Sequence, residues 1–396
     1  MSETADLLSC VDHLLYVTDR DPVVMVRGAG MYLWDSDGKS YLDFIGGWAV
    51  NALGHSPEVI HRVLCEQSAR LVNASPSFFN EPMLRLARRL TEVSCMDRAF
   101  FCSTGAEANE SAIKIARKYG ATRRNGAFEI ITTIDGFHGR TLATMAATGK
   151  AAWRGMFEPK GGGFRHVAFN DIAAVRNAIT DKTAAIMVEP IQGEGGVNPA
   201  TTSYLRELRS VCDDHGVLLI FDEIQTGIGR TGAMFAYEHH GVEPDVITLG
   251  KGLGGGFPVA AMLCTERLNI FEKGEQGGTY TGQPLAAAVA LAVVDEVIAK
   301  KLPENAHERG AEIKAGLDRL AQRHPIRAIR GAGLLIAFDL AEPVAERIRG
   351  YCLRNGLLLN TPRDTMIRLM PPLIATTDDV EKMLRILDAA LADAFG

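Results

Sequence analysis

The stretch Val217–Gly232, VLLIFDEIQTGIGRTG, sets a run of apolar residues against two carboxylates and then a glycine-punctuated loop. Val217–Phe221 has the length of a strand and no polar alternation, the mark of a strand covered on both faces. It ends in Asp222 and Glu223. Comparable runs lie on either side at Ala99–Cys102, Glu129–Thr133, Ala184–Val188, Val246–Leu249 and Ala260–Cys264. Helical spacing fills the gaps: in Glu107–Tyr119, the residues Ala108, Ala112, Ile115 and Tyr119 share one helix face. Strands alternating with helices predict an α/β fold with a mostly parallel sheet flanked by helices.

The texture changes after about Pro303. A charged helix (Glu304–Gln322) leads into the strand-rich Ile326–Leu340. A helix (Val344–Arg354), short strands at Leu357–Asn360 and Met366–Leu369, and a last helix (Thr377–Ala394) follow. At the other end, VVMVRGAGMYLWDSDGKSYLDF reads as a small meander with a turn at Asp37–Gly38. The expected division is 1–60 and 303–396 as the two parts of a smaller α+β domain, with 61–302 as a large ligand-binding domain.

Composition narrows the class. The chain has 396 residues, 47% hydrophobic and 23% charged, with a net charge of -6 and no basic block, which speaks against nucleic acid as a partner. The first residues, MSETADLLSC, lack the basic and apolar regions of a secretory signal, and no apolar run reaches membrane-spanning length. Seven cysteines without C-x-x-C spacing argue against a disulfide framework and a zinc site, and fit reduced thiols in the cytoplasm.

Four motifs carry candidate chemistry. STGAEAN (Ser103–Asn109) follows a strand and opens a helix, where the N–H groups of Gly105 and Ala106 face an anion such as phosphate; a simple N-cap gives the same pattern. Asp222, at the carboxyl end of a buried strand, needs a cationic partner. A protonated pyridine nitrogen suits it, and Gln225 would reach a phenolic oxygen on the same ring. A metal-binding Asp–Glu pair or a helix N-cap are the alternatives, though no third ligand stands at metal spacing. In PDVITLGKGLGGGFP (Pro244–Pro258), Lys251 sits between an apolar strand and a triple glycine, where desolvation favours a neutral amine. The loop is not a Walker A motif, and Gly331-Ala332-Gly333 fails as a dinucleotide fingerprint because Ile336 stands where glycine or alanine is needed. In GFHGRT (Gly136–Thr141), Phe137 suits stacking on an aromatic ring and Arg140 suits a carboxylate, while His138 reads as structural.

In this order the motifs resemble the class III (ω-) aminotransferases of pyridoxal phosphate (PLP) fold type I, from about Asp21 to Leu391. Within the class, ALGHSP (Ala52–Pro57), FFNEPMLRLARRL (Phe78–Leu90), EPIQGEGGVNPA (Glu189–Ala200) and IRLMPPLI (Ile367–Ile374) are similar to the acetylornithine aminotransferases. The resemblance implies catalytic roles for Lys251, as the Schiff-base lysine and proton shuttle, and for Asp222, as partner of the pyridinium nitrogen. It implies cofactor contacts from Ser103, Gly105, Ala106, Phe137 and Gln225, and from Thr279 to the phosphate of a neighbouring subunit in a homodimer. For the substrates it implies Arg140 on the distal carboxylate, Arg368 on the α-carboxylate of glutamate, Glu194 masking Arg368 for the ω-amine, and Gly278 nearby. The implied reaction moves the ω-amino group of N-acetylornithine to 2-oxoglutarate in arginine biosynthesis. Ornithine, succinylornithine or 4-aminobutyrate are alternative donors, and aminomutase or decarboxylase chemistry is a more distant alternative. The sequence departs from the family pattern at Trp48, at Gly278 in place of serine, and at Thr281-Gly282-Gln283 in place of Gly-Gly-Asn.

Overall fold

A computed structural model describes residues 3–396; Met1 and Ser2, where the reading of the N-terminus begins, lie outside the described residues. The centre is a seven-stranded sheet. Its strands are β4 (Arg98–Cys102), β5 (Glu129–Thr133), β6 (Phe164–Val167), β7 (Thr183–Val188), β8 (Leu218–Asp222), β9 (Val246–Leu249) and β10 (Ala260–Cys264), numbered after three strands of an N-terminal meander. Their spatial order is β4-β10-β9-β8-β7-β5-β6. All are parallel except β10, which runs antiparallel to both neighbours. β7 and β8 are buried along their whole length, which is why neither alternates apolar with polar.

The run expected as Val217–Phe221 is shifted by one residue. β8 ends on Asp222, which pairs in register with Thr248 of β9, so the carboxylate leaves the sheet itself rather than the loop beyond it. Helix α1 (Gly105–Arg123) lies across β9 and β10 and buries Ala108, Ala112 and Ile115 as the spacing requires. Its start is fixed by a capping box between Thr104 and Glu107. β6 was not foreseen: it is an edge strand whose only buried residue is Val167, and an edge carries no apolar run to read.

The two ends of the chain meet in one sheet. The meander β1 (Met25–Ala29), β2 (Tyr32–Asp35) and β3 (Ser40–Asp43) is extended by β13 (Leu357–Leu358), which runs parallel to β3 with Leu357 opposite Leu42. A second, antiparallel sheet follows from β11 (Ile326–Ala332), β12 (Leu335–Leu340), β14 (Asn360–Arg363) and β15 (Met366–Leu369), in the order β11-β12-β15-β14. Among the described residues, no helix is long and apolar enough to cross a membrane.

Candidate active site

Every parallel strand around the middle of the large sheet delivers a residue to one cavity of about 290 Å³ at its carboxyl ends. After β4 come Gly105, Ala106 and Asn109; after β5, Phe137 to Arg140; after β7, Glu189 and Glu194; from β8 and beyond, Asp222, Ile224 and Gln225; after β9, Lys251. Residues scattered over nearly 150 positions thus meet because the topology sends every strand end the same way.

The floor of the cavity is a closed network around Asp222. Its Oδ2 accepts hydrogen bonds from Asn109 Nδ2 at 2.7 Å and from the His138 ring at 2.8 Å, and its Oδ1 accepts the Ile224 N–H at 3.1 Å. A carboxylate has about four lone-pair sites, so Oδ1 keeps one for a ligand. Burial alone would depress the His138 imidazole, but the hydrogen bond and charge of Asp222 outweigh it and raise its pKa. His138, read as structural, therefore touches the central carboxylate. Asn109 is held from its other side, its Oδ1 accepting from Thr248 at 2.7 Å. Glu223 turns away: its carboxylate accepts the N–H groups of Ala236 and Tyr237 and the Thr226 hydroxyl, so the pair Asp222-Glu223 does not act as one site.

Lys251 is partly buried beside this floor and adopts φ +43°, a left-handed conformation costly for a side chain with a Cβ. Its Nζ makes no hydrogen bond or ion pair among the described residues. Burial pulls its pKa down, Arg368 adds to that, and the acids Glu194, Asp222 and Glu189 oppose it. The N–H groups of Gly105 and Ala106 likewise have no partner, since Glu107 takes those of Ser103 and Thr104 instead. A Cβ on Gly105 would stand 2.8 Å from Ile224 Cδ1, so only glycine lets the helix start approach the floor. Gln225 Oε1 is buried without a partner.

The wall is built from the loop after β7 and from β15. Arg368, 1% exposed, donates to Glu194 Oε1 and to the Gly193 carbonyl, each at 2.8 Å, and to Asn360 Oδ1 at 3.0 Å. Burial pushes the Glu194 carboxyl up, but the charges of Arg368, Lys251 and Lys150 prevail and hold it at about 2. Glu189 is pushed up by burial to about 7; its two oxygens accept the N–H groups of Phe137 and Gly193 and so tie the two loops together. At the mouth Arg140 is exposed and has no acidic partner among the described residues; its guanidinium lies 5.1 Å from the centre of the Trp153 ring. Lys150 Nζ lies 5.3 Å from the same ring and 5.0 Å from that of Phe137.

Four expected residues do not line this cavity. Arg368 lies behind its wall and meets it through Glu194. Ser103, Gly278 and Thr279 line a different one, with Glu107 and Lys114. Trp48 is exposed and lines neither. The sequence reading missed Asn109, Glu189, Lys150 and Trp153. Asn109 carried a signal, a polar residue on the buried side of α1, which demands a buried partner.

The family profile described as aminotransferase class-III matches residues 16–391. The chain belongs to the class-III aminotransferases. It is 49% identical to acetylornithine aminotransferase 2 of Bordetella bronchiseptica over 386 residues, covering 96% of this chain and 97% of that protein. It is 44% identical to the acetylornithine aminotransferase of Methanocaldococcus jannaschii, over 96% of each chain. Among solved structures, the ornithine aminotransferase of Toxoplasma gondii superposes with a TM-score of 0.95 at 32% identity, over 99% of this chain and 96% of that one. The acetylornithine aminotransferase of Elizabethkingia anophelis gives 0.88 at 32%, over 98% and 99%.

Class-III aminotransferases are PLP-dependent. The groups left without partners here fit that cofactor: two N–H groups at a helix start for a phosphate, a carboxylate lone pair for a ring N–H, a buried amide oxygen for a phenol, and a free amine for an aldehyde.

Proposed function

We propose that this aminotransferase moves the ω-amino group of N-acetylornithine to 2-oxoglutarate, as in arginine biosynthesis. The observation that carries the reading is the Arg368–Glu194 pair, 2.8 Å apart, facing an Arg140 that has no acidic partner among the described residues. An enzyme handling only α-amino dicarboxylates needs two free arginines and no acid over either. An enzyme that also takes an ω-amine must cover the arginine beside the reacting carbon, because an unpaired buried charge is costly. Glu194 provides that cover, and Arg140 holds the distal carboxylate in both halves. The names of the relatives point the same way.

Gly105 and Ala106 would hold the phosphate, Phe137 would pack against the ring, Gln225 would meet the phenolic oxygen, and Lys251 Nζ would be the point of covalent attachment. The bound cofactor supplies an electron sink for the carbon that loses a proton. Asp222 keeps a proton on the ring nitrogen by its charge, and Asn109 and His138 orient its carboxylate. Lys251 Nζ, whose pKa burial lowers, would take the proton from the amine-bearing carbon.

The functional unit is a cytoplasmic homodimer in which Thr279, with Gly278 beside it, reaches the phosphate of the neighbouring subunit's cofactor, while Ser103 contacts the cofactor held by Gly105 and Ala106. Supporting this, Phe78, Phe79 and Tyr280 are exposed aromatic residues, and their segments are joined by the bond from Asn80 Nδ2 to the Gly282 carbonyl. The test is a donor panel with 2-oxoglutarate as acceptor. N-acetylornithine is expected to give the highest kcat/KM; ornithine, succinylornithine or 4-aminobutyrate leading it would replace the assignment.

A further inference from the structure

Glu194 sits on a loop that is almost all glycine. Gly193, Gly195 and Gly196 surround it; a Cβ on Gly195 would stand 2.6 Å from the Asp135 carbonyl oxygen and Gly196 has φ +119°, so both of these positions require glycine. Glycine leaves the loop many conformations when nothing holds it. Within the large domain, Glu189 accepts the Gly193 N–H at 3.2 Å and Asn198 Nδ2 donates to the Gly195 carbonyl at 3.1 Å; three arginines from the C-terminal antiparallel sheet also hold the loop. Arg368 on β15 donates to the Gly193 carbonyl, Arg363 on β14 to the Gly195 carbonyl, and Arg330 on β11 to the Gly196 carbonyl, each at 2.8 Å. Arg330 is itself anchored by Asp339 at 3.0 Å and by the Ala328 carbonyl at 2.8 Å. Arg368 belongs to the substrate machinery already described. Arg363 and Arg330 do not: neither lines the cavity, and Arg363 is exposed at a strand end.

We propose that Arg363 and Arg330 are positioning residues for the amino-donor half of the reaction, holding the Gly195 and Gly196 carbonyls so that Glu194 stays within reach of Arg368. The inference rests on the reading of Glu194 as the cover for Arg368. Its consequence is directional. Slackening the loop withdraws Glu194 from Arg368, which harms the ω-amine half. It leaves the glutamate half intact or improved, because there Glu194 must swing away. A merely structural role would lower both halves together.

The test uses the full-length holoenzyme and single-turnover kcat/KM for each half-reaction, with N-acetylornithine and with glutamate. In Arg363→Ala the ratio of glutamate to ω-amine half-reaction is expected to rise roughly 3- to 10-fold, less than for a buried charge-assisted hydrogen bond because Arg363 is exposed and Asn198 Nδ2 still donates to the Gly195 carbonyl at 3.1 Å. Arg363→Lys, which keeps a donor, should return it to within about twofold of the parent. Arg330→Ala should shift the ratio in the same direction as Arg363→Ala. Glu194→Ala is the reference. If it raises the ratio while Arg363→Ala leaves it unchanged or slows both halves equally, the positioning role is wrong and the cover role stands. If Glu194→Ala itself leaves the ratio unchanged, the cover role is wrong and this inference falls with it.

Discussion

The floor and the wall of the cavity are built on opposite plans. On the floor, Asp222, Asn109, His138 and Thr248 are linked by hydrogen bonds, Asp222 and Thr248 from buried neighbouring strands, Asn109 from α1 and His138 from the loop after β5. On the wall, Glu194 and Arg368 hold each other through groups that a substrate carboxylate can replace, on a glycine loop clamped from another sheet. The mouth carries Arg140, which has no acidic partner among the described residues and lies over the Trp153 ring. The difference follows from the work. Proton transfer at one carbon is common to both halves of a transamination and profits from rigid electrostatics. Two substrates that differ beside that carbon need partners that exchange.

Breaking the floor should cost most. Lys251→Ala should abolish turnover, and borohydride reduction of the holoenzyme followed by peptide mapping should place the label on Lys251; a label on any other lysine would displace it. Asp222→Asn keeps the shape and the Oδ1 acceptor but removes the charge. The expected loss in kcat is at least roughly a thousandfold, equivalent to about 4 kcal/mol of transition-state stabilisation. Near-normal kcat in Asp222→Asn would mean that the floor does not protonate the ring.

Breaking the wall should split the half-reactions instead. Arg368→Ala should lower kcat/KM of the glutamate half by about 100-fold, the scale of losing one member of a buried pair. Arg140→Ala should lower both halves by about 10- to 100-fold, the scale of a charge-assisted carboxylate contact. Glu194→Ala should lower only the ω-amine half, by about tenfold. The pH dependence has a definite sign. The Glu194 carboxyl is depressed to about 2, so its pairing is complete above the ordinary carboxylate range and is lost only as pH falls through that value. Glu194 should therefore add no ionisation to the ω-amine kcat/KM profile between about pH 5 and 9. An acidic limb that disappears in Glu194→Ala would contradict this.

The same contrast governs what could be read from the chain. The strands of the large sheet were legible because burial on both faces leaves unbroken apolar runs, and the floor's Asp222 and Lys251 were legible because they end such runs. The edge strand Phe164–Val167 was not, since burial shapes only one of its residues. The partners of Asp222 were not either: Asn109 and His138 lie 113 and 84 residues away, and their contact is made by the fold rather than by any local pattern. The clamp on the Glu194 loop is more hidden still. It joins side chains to backbone carbonyls across 134 and 168 residues, and a carbonyl has no residue identity to recognise.

The mouth allows a finer distinction than either region alone. Trp153 packs edge-on against Phe137 at 5.8 Å, while Arg140 and Lys150 share its ring. It therefore touches both plans, the ring platform and the substrate arginine. A cation over an exposed aromatic ring is worth about 0.5–1 kcal/mol, most with tryptophan. If Trp153 serves the wall, Trp153→Leu, which keeps apolar bulk but no ring, should raise KM about two- to fivefold for both carboxylate-bearing substrates and leave kcat unchanged. That follows from the role proposed for Arg140, which would grip the distal carboxylate equally before and during reaction, and uniform binding acts on KM alone. Trp153→Phe should fall between Leu and the parent. If kcat falls while KM holds, Trp153 acts through Phe137 instead, and the boundary between floor and wall runs on the other side of its ring.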